Sequence, residues 1–440
     1  MPKKRRLIIA MIFLHDKKGN LKDEYEDGNI NNIGINEKKY GLKNDNNNYL
    51  SSINSNQIWL NKTFKKYYFN YFSNIIIPEK IHLREFGFRQ FDGKVIRHLS
   101  FINSGELYAY ILKLSPSDIY CSSSVYRNPN ESMDKKEWLG SELIFDIDGK
   151  DLELDCSITH NYTKCFQCNF INKGVLKRCG NCNGSKLSVI DIPCKNCIFF
   201  LKKEVIKLMK FLTKDFGICS KDISIYFSGN NGFHIHVNDA DYYSLLSNER
   251  SEISSYIMGK GFKLESLGIK ADKEKKFTFI SKNKQFLEIG WRERISKSIK
   301  FNLSSIKNNN NDVLIKHIEK LENIWNCSFQ KIVLNTLQDL SVRIDPVVTM
   351  DIHRIFRLNG TINSKSGLVK IVCKNIDEFN PFIDACFYEK LKVDLCSKVD
   401  ITVLFKGRRY EINTGLNHVP EYVAVYLISK GLANINIKET

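Results

Sequence analysis

Leu143-Ile144-Phe145-Asp146-Ile147-Asp148 is the stretch whose reading decides the fold. Apolar and acidic residues alternate here, the period-2 signature of a strand with one buried and one open face. Asp146 and Asp148 therefore project to the same side, about 7 Å apart along the strand. Two carboxylates on one face repel each other unless a cation sits between them, and such oxygen donors suit hard divalent ions such as Mg²⁺. An exposed face on an edge strand would carry the same pattern, so the flanking sequence has to decide.

Directly downstream, seven of the thirteen cysteines fall between Cys156 and Cys197, six of them as Cys-x2-Cys pairs. This is metal-site spacing rather than a secreted disulfide framework. Cys165-x2-Cys168 followed by Cys179-Gly180-Asn181-Cys182 reads as a zinc ribbon, two knuckles presenting four thiolates to one tetrahedral ion. Gly180 and Gly184 are the small residues expected to let backbone amides approach the sulfurs. Outside this pair, Cys156-x3-His160 and Cys194-x2-Cys197 can form a second, Cys₃His site enclosing the first. Neither set implies an open coordination position, so both are expected to be structural. Cys121, Cys219, Cys327, Cys373, Cys386 and Cys396 are scattered and read as small core residues.

Further along, residues 199–216 place Val205, Leu208, Phe211 and Leu212 at helical spacing and stop at Gly217, a C-terminal cap. Residues 223–227 read as a strand, Ser228-Gly229-Asn230-Asn231-Gly232 as a turn, and 233–237 as a second strand with His234 and His236 on one side. Residues 248–340 are mostly helical and otherwise less informative, with a polar, Asn-rich stretch at 296–312. Arg343-Ile344-Asp345-Pro346 ends a strand, 347–356 has helical spacing, 369–373 and 398–404 read as strands, and a helix over 420–433 closes the chain. Upstream, 116–129 reads as a loop, 106–114 as a helix, and two short strands flank Asp92-Gly93. The aromatics of 63–72, interleaved with Lys62, Lys65 and Lys66, form an amphipathic helix with its rings turned inward. Residues 1–57 are rich in Asn, Lys, Asp and Gly and read as a flexible leader. Strands and helices mix without a regular βαβ repeat, which argues for an α+β fold. The division expected is 58–155 and 198–440 as two parts of one core, with 156–197 inserted between them.

Composition sets the class. A chain of 440 residues with 42% hydrophobic content supports real cores. Its formal charge is +17, from 66 basic and 49 acidic side chains, which favours polyanionic partners such as nucleic acid or nucleotides. No transmembrane run is present. Lys3-Lys4-Arg5-Arg6 and the apolar residues after them only faintly resemble a signal peptide and run straight into His15-Asp16-Lys17-Lys18, so an intracellular, reducing compartment is expected.

Taken together, these motifs resemble the catalytic small subunit of the archaeo-eukaryotic DNA primase family, its archaeal branch in particular. The Asp146-Ile-Asp148 strand, the cysteine-rich insertion after it and the Ser228-Gly-Asn-Asn-Gly-Phe-His234 turn occur in that family's order. So do Arg84-Glu-Phe-Gly-Phe88, Ile344-Asp345 followed by Asp351-Ile-His-Arg-Ile-Phe-Arg357, and the terminal Pro420-Glu-Tyr-Val-Ala-Val-Tyr-Leu427. The resemblance spans roughly residues 60–433.

The resemblance implies a primase-polymerase core that joins nucleoside triphosphates on a single-stranded DNA template into a short RNA or DNA primer. It implies Asp146, Asp148 and Asp345 as ligands for Mg²⁺ or Mn²⁺, with Asp351 as the alternative third acid. Nucleotidyl transfer needs two such ions, one for the 3′-hydroxyl and one for the triphosphate. Ser228, Gly229 and Gly232 would present a hydroxyl and backbone amides to phosphate oxygens. His234 and Arg357 would contact the same nucleotide, with Arg84 and the Arg97-His98 pair lining the cleft. A primase large subunit is the implied partner, and no membrane is involved. Two departures concern nucleotide affinity: Asn230 and Asn231 stand where many relatives carry an Arg, and Asn363 where the family usually has a His. Lys365 or Lys370 could replace the lost contacts. The same fold also serves repair or translesion primase-polymerases, and a non-catalytic zinc-bearing nucleic-acid scaffold would share the charge and the cysteines.

Overall fold

A computed structural model describes residues 53–271, 277–279, 289–300, 310–389 and 391–436, all of them in the unit Leu42–Thr440. Residues 1–52 of the expected leader, and 301–309 of the Asn-rich stretch, lie outside the described residues. Order reaches into the expected leader: Asn54 caps a helix over Ser55–Tyr71, accepting from Gln57 N–H while the Gln57 side chain accepts from Asn54 N–H. That helix buries Phe64, Tyr67 and Tyr68 and leaves its lysines exposed.

Two four-stranded antiparallel sheets carry the core. In the first, the order is Ile355–Arg357, Asp118–Ser122, Phe86–Arg89, Val95–Leu99; in the second, Ile371–Val372, Ile223–Phe227, Gly232–Val237, Leu143–Asp148. The Leu143–Asp148 strand shows the expected alternation. Leu143, Phe145 and Ile147 are buried together with Phe233, Ile235 and Val237 of the neighbouring strand. They meet the Lys195–Lys214 helix, which buries Leu201, Val205 and Leu208 at helical spacing. At about 1.5–3 kcal/mol per fully buried apolar side chain, the six strand residues contribute on the order of 10 kcal/mol before chain entropy is counted. The acids project to the other face. One end of that face is closed by a buried cluster of Ile144, Val348 and Phe356; Asp146 and Asp148 lie at the other end, partly accessible.

The helices Ser247–Ile257, Gly290–Ser298, Asn311–Trp325 and Phe329–Leu340 pack on one another through Trp291, Ile295, Ile318 and Leu337. The closing helix Glu421–Ser429 is apolar all round and buried over Glu421–Ile428, as a core helix must be. Among the described residues, no helix is long and apolar enough to cross a membrane.

Several sequence expectations are corrected. The supposed loop at 116–129 contains the strands Asp118–Ser122 and Ser124–Tyr126. Its Ser and Asp residues suggested a loop, but they are buried with partners: Asp118 accepts from Ser364 and pairs with Arg357. The helical pattern over 347–356 yields only Pro346–Met350, after which the chain turns into the Ile355–Arg357 strand. Arg343–Asp345 ends no ladder strand; Asp345 is instead a helix N-cap. Residues 398–404 straddle a break between the strands Lys392–Ser397 and Ile401–Phe405. Cys219 and Cys396 are exposed and Cys327 is half-buried, so only Cys121, Cys373 and Cys386 of the scattered cysteines are core residues.

Candidate active site

The open face of the second sheet brings the distant motifs together. Gly232 pairs with Asp148 and His234 with Asp146, so the end of the turn and the acidic pair share one ladder, with the Phe233–Ile147 pair between them. The third acid comes from the far end of the chain: Asp345 N–H donates to the Asp146 carbonyl at 3.0 Å. Asp345 Oδ1 also accepts from Val347 N–H at 2.9 Å, capping the helix whose first residue is Pro346. Arg343, two residues earlier, is anchored by Glu204 and the Leu152 carbonyl, which fixes the approach of this segment. Asp351 is exposed, accepts from His353 N–H at 2.9 Å and lies within electrostatic reach of Tyr126.

Crowding three acids has an electrostatic consequence. Burial, then the neighbouring charges of Asp148 and Asp345, push the Asp146 carboxyl from an ordinary 3.8 up to about 7; Arg354 and Lys150 oppose this. An acid so disfavoured as a carboxylate, beside two others, is a hard-oxygen donor set that gains from a divalent cation. Asp146, Asp148 and Asp345 are therefore the residues that could hold one or more such ions. Among the described residues, the cysteine clusters are the groups whose ligand atoms all lie within 4.8 Å of one another.

The Ser228–Gly232 turn is clamped from several sides. Gly229 has φ +85°, and a Cβ there would meet Asn363, the Leu368 carbonyl and the Lys370 amide at 3.0–3.2 Å, so only glycine fits. A Cβ on Gly232 would stand 2.5 Å from the Ile147 carbonyl. Asn363 Nδ2 donates to the Ser228 carbonyl at 3.4 Å and its Oδ1 accepts from Lys365 N–H. Asn363 thus supports the turn from below. His234 places Nε2 3.5 Å from Asp146 Oδ1, and its buried Nδ1 has no partner among the described residues. Burial, with the charges of Lys370 and His236 next, holds the His234 pKa well below 6.5, so the ring is neutral at pH 7 and can serve as donor or acceptor to a ligand.

The two predicted arginines are placed differently. Arg357 is buried against Asp118 at 2.7 Å, with side-chain exposures of 9% and 2%, and donates to the Ile362 carbonyl. Arg84 pairs with Glu142 at 2.9 Å and donates to the Glu79, Ser122 and Ser123 carbonyls. Glu142 in turn binds His236 Nδ1 at 2.9 Å; although burial pushes its pKa up, the His236 and Arg84 contacts hold it at about 2. Arg97 and His98 face Glu85, which also holds the buried Lys136. Arg84 is thus held by buried partners, while Arg97 pairs through Nε and stays 37% exposed.

Cations missed by sequence reasoning stand closer. Arg354 is near enough to Asp146 and His234 to influence both. Lys430, at the end of the closing helix, donates to Asn230 Oδ1 at 2.8 Å; burial lowers its pKa to about 8, with Asp191 opposing and Lys365 adding to the effect. It brings a cation to the turn position where many relatives carry an Arg. Two hundred residues separate it from Asn230, and no local pattern marked it. Lys370, by contrast, is buried and donates to the Arg357 carbonyl.

The cysteine region forms two clusters, Cys165/Cys168/Cys179/Cys182 and Cys156/His160/Cys194/Cys197, each able to hold a metal ion. Sulfur–sulfur distances of 3.6–3.9 Å in both match the edge of a tetrahedron with metal–sulfur bonds of about 2.3 Å. His160 Nε2 lies 3.2 Å from Cys197 Sγ. Gln167 and Asn181 amides donate to Cys165 and Cys179 sulfurs, both at 3.4 Å. The left-handed positions of the knuckles fall on Asn169 and Asn183 rather than on Gly180 and Gly184.

The family model described as DNA primase small subunit matches residues 188–374. The DNA primase small subunit of Nitrosopumilus maritimus is 39% identical over 378 residues, covering 86% of this chain and 98% of that protein. Those of Cenarchaeum symbiosum and Staphylothermus marinus are 36% and 32% identical, covering 85% and 87% of this chain and 97% and 96% of theirs. With 39% identity over 86% of its length to such a protein, the chain belongs to the DNA primase small-subunit family, the catalytic nucleotidyltransferases that make primers.

Proposed function

We propose that the face shared by Asp146, Asp148, Asp345 and the Ser228–Gly232 turn is where this primase adds nucleotides to a growing primer on single-stranded DNA. The observation that supports this most directly is the grouping of Asp146 with Asp148 and Asp345, which with burial pushes the Asp146 pKa up to about 7, two rungs from the glycine turn. Mg²⁺ or Mn²⁺ held by the three acids would supply the charge that favours ionisation of the 3′-hydroxyl and offsets that of the triphosphate. The chain's own part is positional. The Ser228 hydroxyl and the turn's amides hold phosphate oxygens, neutral His234 hydrogen-bonds the nucleotide, and Lys430 and Arg354 place cations at either side. Arg357 positions this wall through Asp118 rather than by direct contact. The two cysteine clusters each hold a structural Zn²⁺, and a large subunit completes the working enzyme.

The test is a primer-synthesis assay on single-stranded DNA with ribo- and deoxyribonucleotides, each with Mg²⁺ and with Mn²⁺, with and without the large subunit. Asp148→Asn and Asp345→Asn should each lower the rate by at least about 10³-fold while leaving zinc content unchanged. Full activity in either variant would refute the assignment. Efficient extension of a supplied primer with no initiation under any condition would point to a primase-polymerase of repair type.

A further inference from the structure

The inserted ribbon carries a surface that the catalytic face does not account for. Its three strands, Ile171–Lys173, Tyr162–Cys165 and Leu187–Ile190, pair antiparallel in that order. Register puts Lys164 opposite Ile171 and Tyr162 opposite Lys173, and Phe166 N–H bonds the Lys186 carbonyl on the continuation of the same ladder. Lys164, Phe166, Lys173 and Lys186 therefore share one face, basic and aromatic side chains alternating. Phe166 is 63% exposed on that face; Phe170, opposite Cys165 on the continued ladder and so on the other face of the same knuckle, is 49% exposed.

Charge says what would cover them. From Asn161 to Ile190 the chain has five basic residues, Lys164, Lys173, Lys177, Arg178 and Lys186, and no Asp or Glu. A Zn²⁺ held by four thiolates subtracts about two charges and leaves the ribbon positive. Exposed rings beside Lys164 and Lys186, with Lys173 meeting a carboxylate, Asp400, match a single-stranded nucleic acid, whose bases stack on rings and whose phosphates meet the cations. The groove of about 1130 Å³ beside the ribbon's foot is lined by Asp377, Glu378, Asp400 and Glu411 as well as lysines, and lacks this one-signed character. The foot of the ribbon, at Asp191, lies within electrostatic reach of Asp148.

We infer that the Cys165–Cys182 ribbon is a second contact for single-stranded nucleic acid, gripping template through Phe166 and Phe170 and the lysines around them. The inference extends the primase reading by adding a binding site outside the catalytic face.

The experiment uses the full, zinc-loaded chain and a fluorescent oligo-dT of roughly 30 nucleotides, followed by anisotropy without nucleotides or added Mg²⁺ or Mn²⁺. Phe166→Ala/Phe170→Ala should weaken binding by about tenfold or more. Lys177→Gln/Arg178→Gln, at exposed positions that cannot unfold the ribbon, should reduce the salt slope of the affinity by about 1.4. Zinc content is measured on each variant. Unchanged affinity and salt slope with zinc retained would overturn the inference, as would loss of large-subunit association with oligonucleotide binding intact. Because the assay needs no catalysis, Asp148→Asn should bind the oligonucleotide like the parent chain. Failure of the primase reading would leave this result standing, and failure of the ribbon reading would leave primer synthesis on saturating template intact.

Discussion

Replacing Asp146 by Asn should make the protein more stable when divalent ions are absent, and the size of the gain follows from the site. Asp146 holds its proton to about pH 7 in the native state, whereas in the unfolded chain it ionises near 3.8. At about 1.36 kcal/mol per pH unit, ionising this group in the native cleft costs up to about 4 kcal/mol above pH 7. The sign is opposite to that of a salt-bridged carboxylate. Between pH 3.8 and 7 the native state binds more protons than the unfolded one, so this residue's contribution falls as pH rises. Asp146→Asn abolishes that penalty. Urea unfolding in buffer stripped of Mg²⁺ and Mn²⁺, with zinc retained, should show the variant more stable by up to about 4 kcal/mol at pH 8 and by almost nothing at pH 4. Millimolar Mn²⁺ should stabilise the parent chain and leave the variant unmoved, reversing the order. A variant no more stable than its parent at pH 8, or equally stabilised at pH 4 and pH 8, would refute the view that three acids are crowded here without a counter-ion.

Other outcomes follow from the same geometry. Lys430→Met should raise the KM for nucleoside triphosphate about tenfold or more with little change in kcat, read from initial rates, because one charge-assisted contact is lost. Glu142→Gln leaves Arg84 buried without its carboxylate, so it should cost about 3–5 kcal/mol in urea unfolding at pH 7. In the parent, the stability Glu142 supplies is present above its unfolded pKa of 4.5 and is lost as pH falls toward about 2. Metal analysis should find two zinc ions per chain, and one each in Cys165→Ser/Cys168→Ser and Cys194→Ser/Cys197→Ser; one zinc in the parent would remove one of the clusters.

The second sheet was legible because its signals are local. The period-2 pattern of Leu143–Asp148 and the glycines between Ile223 and Val237 are each contained in a few residues, and their elements appear as expected. The juxtaposition of Asp345 with Asp146 came from the resemblance to a family, not from any pattern near Asp345 itself. What escaped was long-range and polar. Asp118–Ser122 read as a loop because its polar residues find partners in Arg357 and Ser364, more than two hundred positions away. The buried pairing of Arg357 with Asp118 was not legible either, and Lys430 looked like an ordinary end to a closing helix. Arg354 sat in plain view within the Asp351–Arg357 motif, three residues from the arginine that drew attention first.

Gly232 and Asp148 face each other across a single pair of strands. The interval between the acids and the turn is thus a fixed ruler of about 4.8 Å, the separation of neighbouring strands, which no side-chain replacement can lengthen or shorten. Divergence among chains built this way has to come from the parts bolted around the ruler, such as the Asn363 support and the Lys430 tip, while the gauge between Asp148 and the glycine turn stays constant.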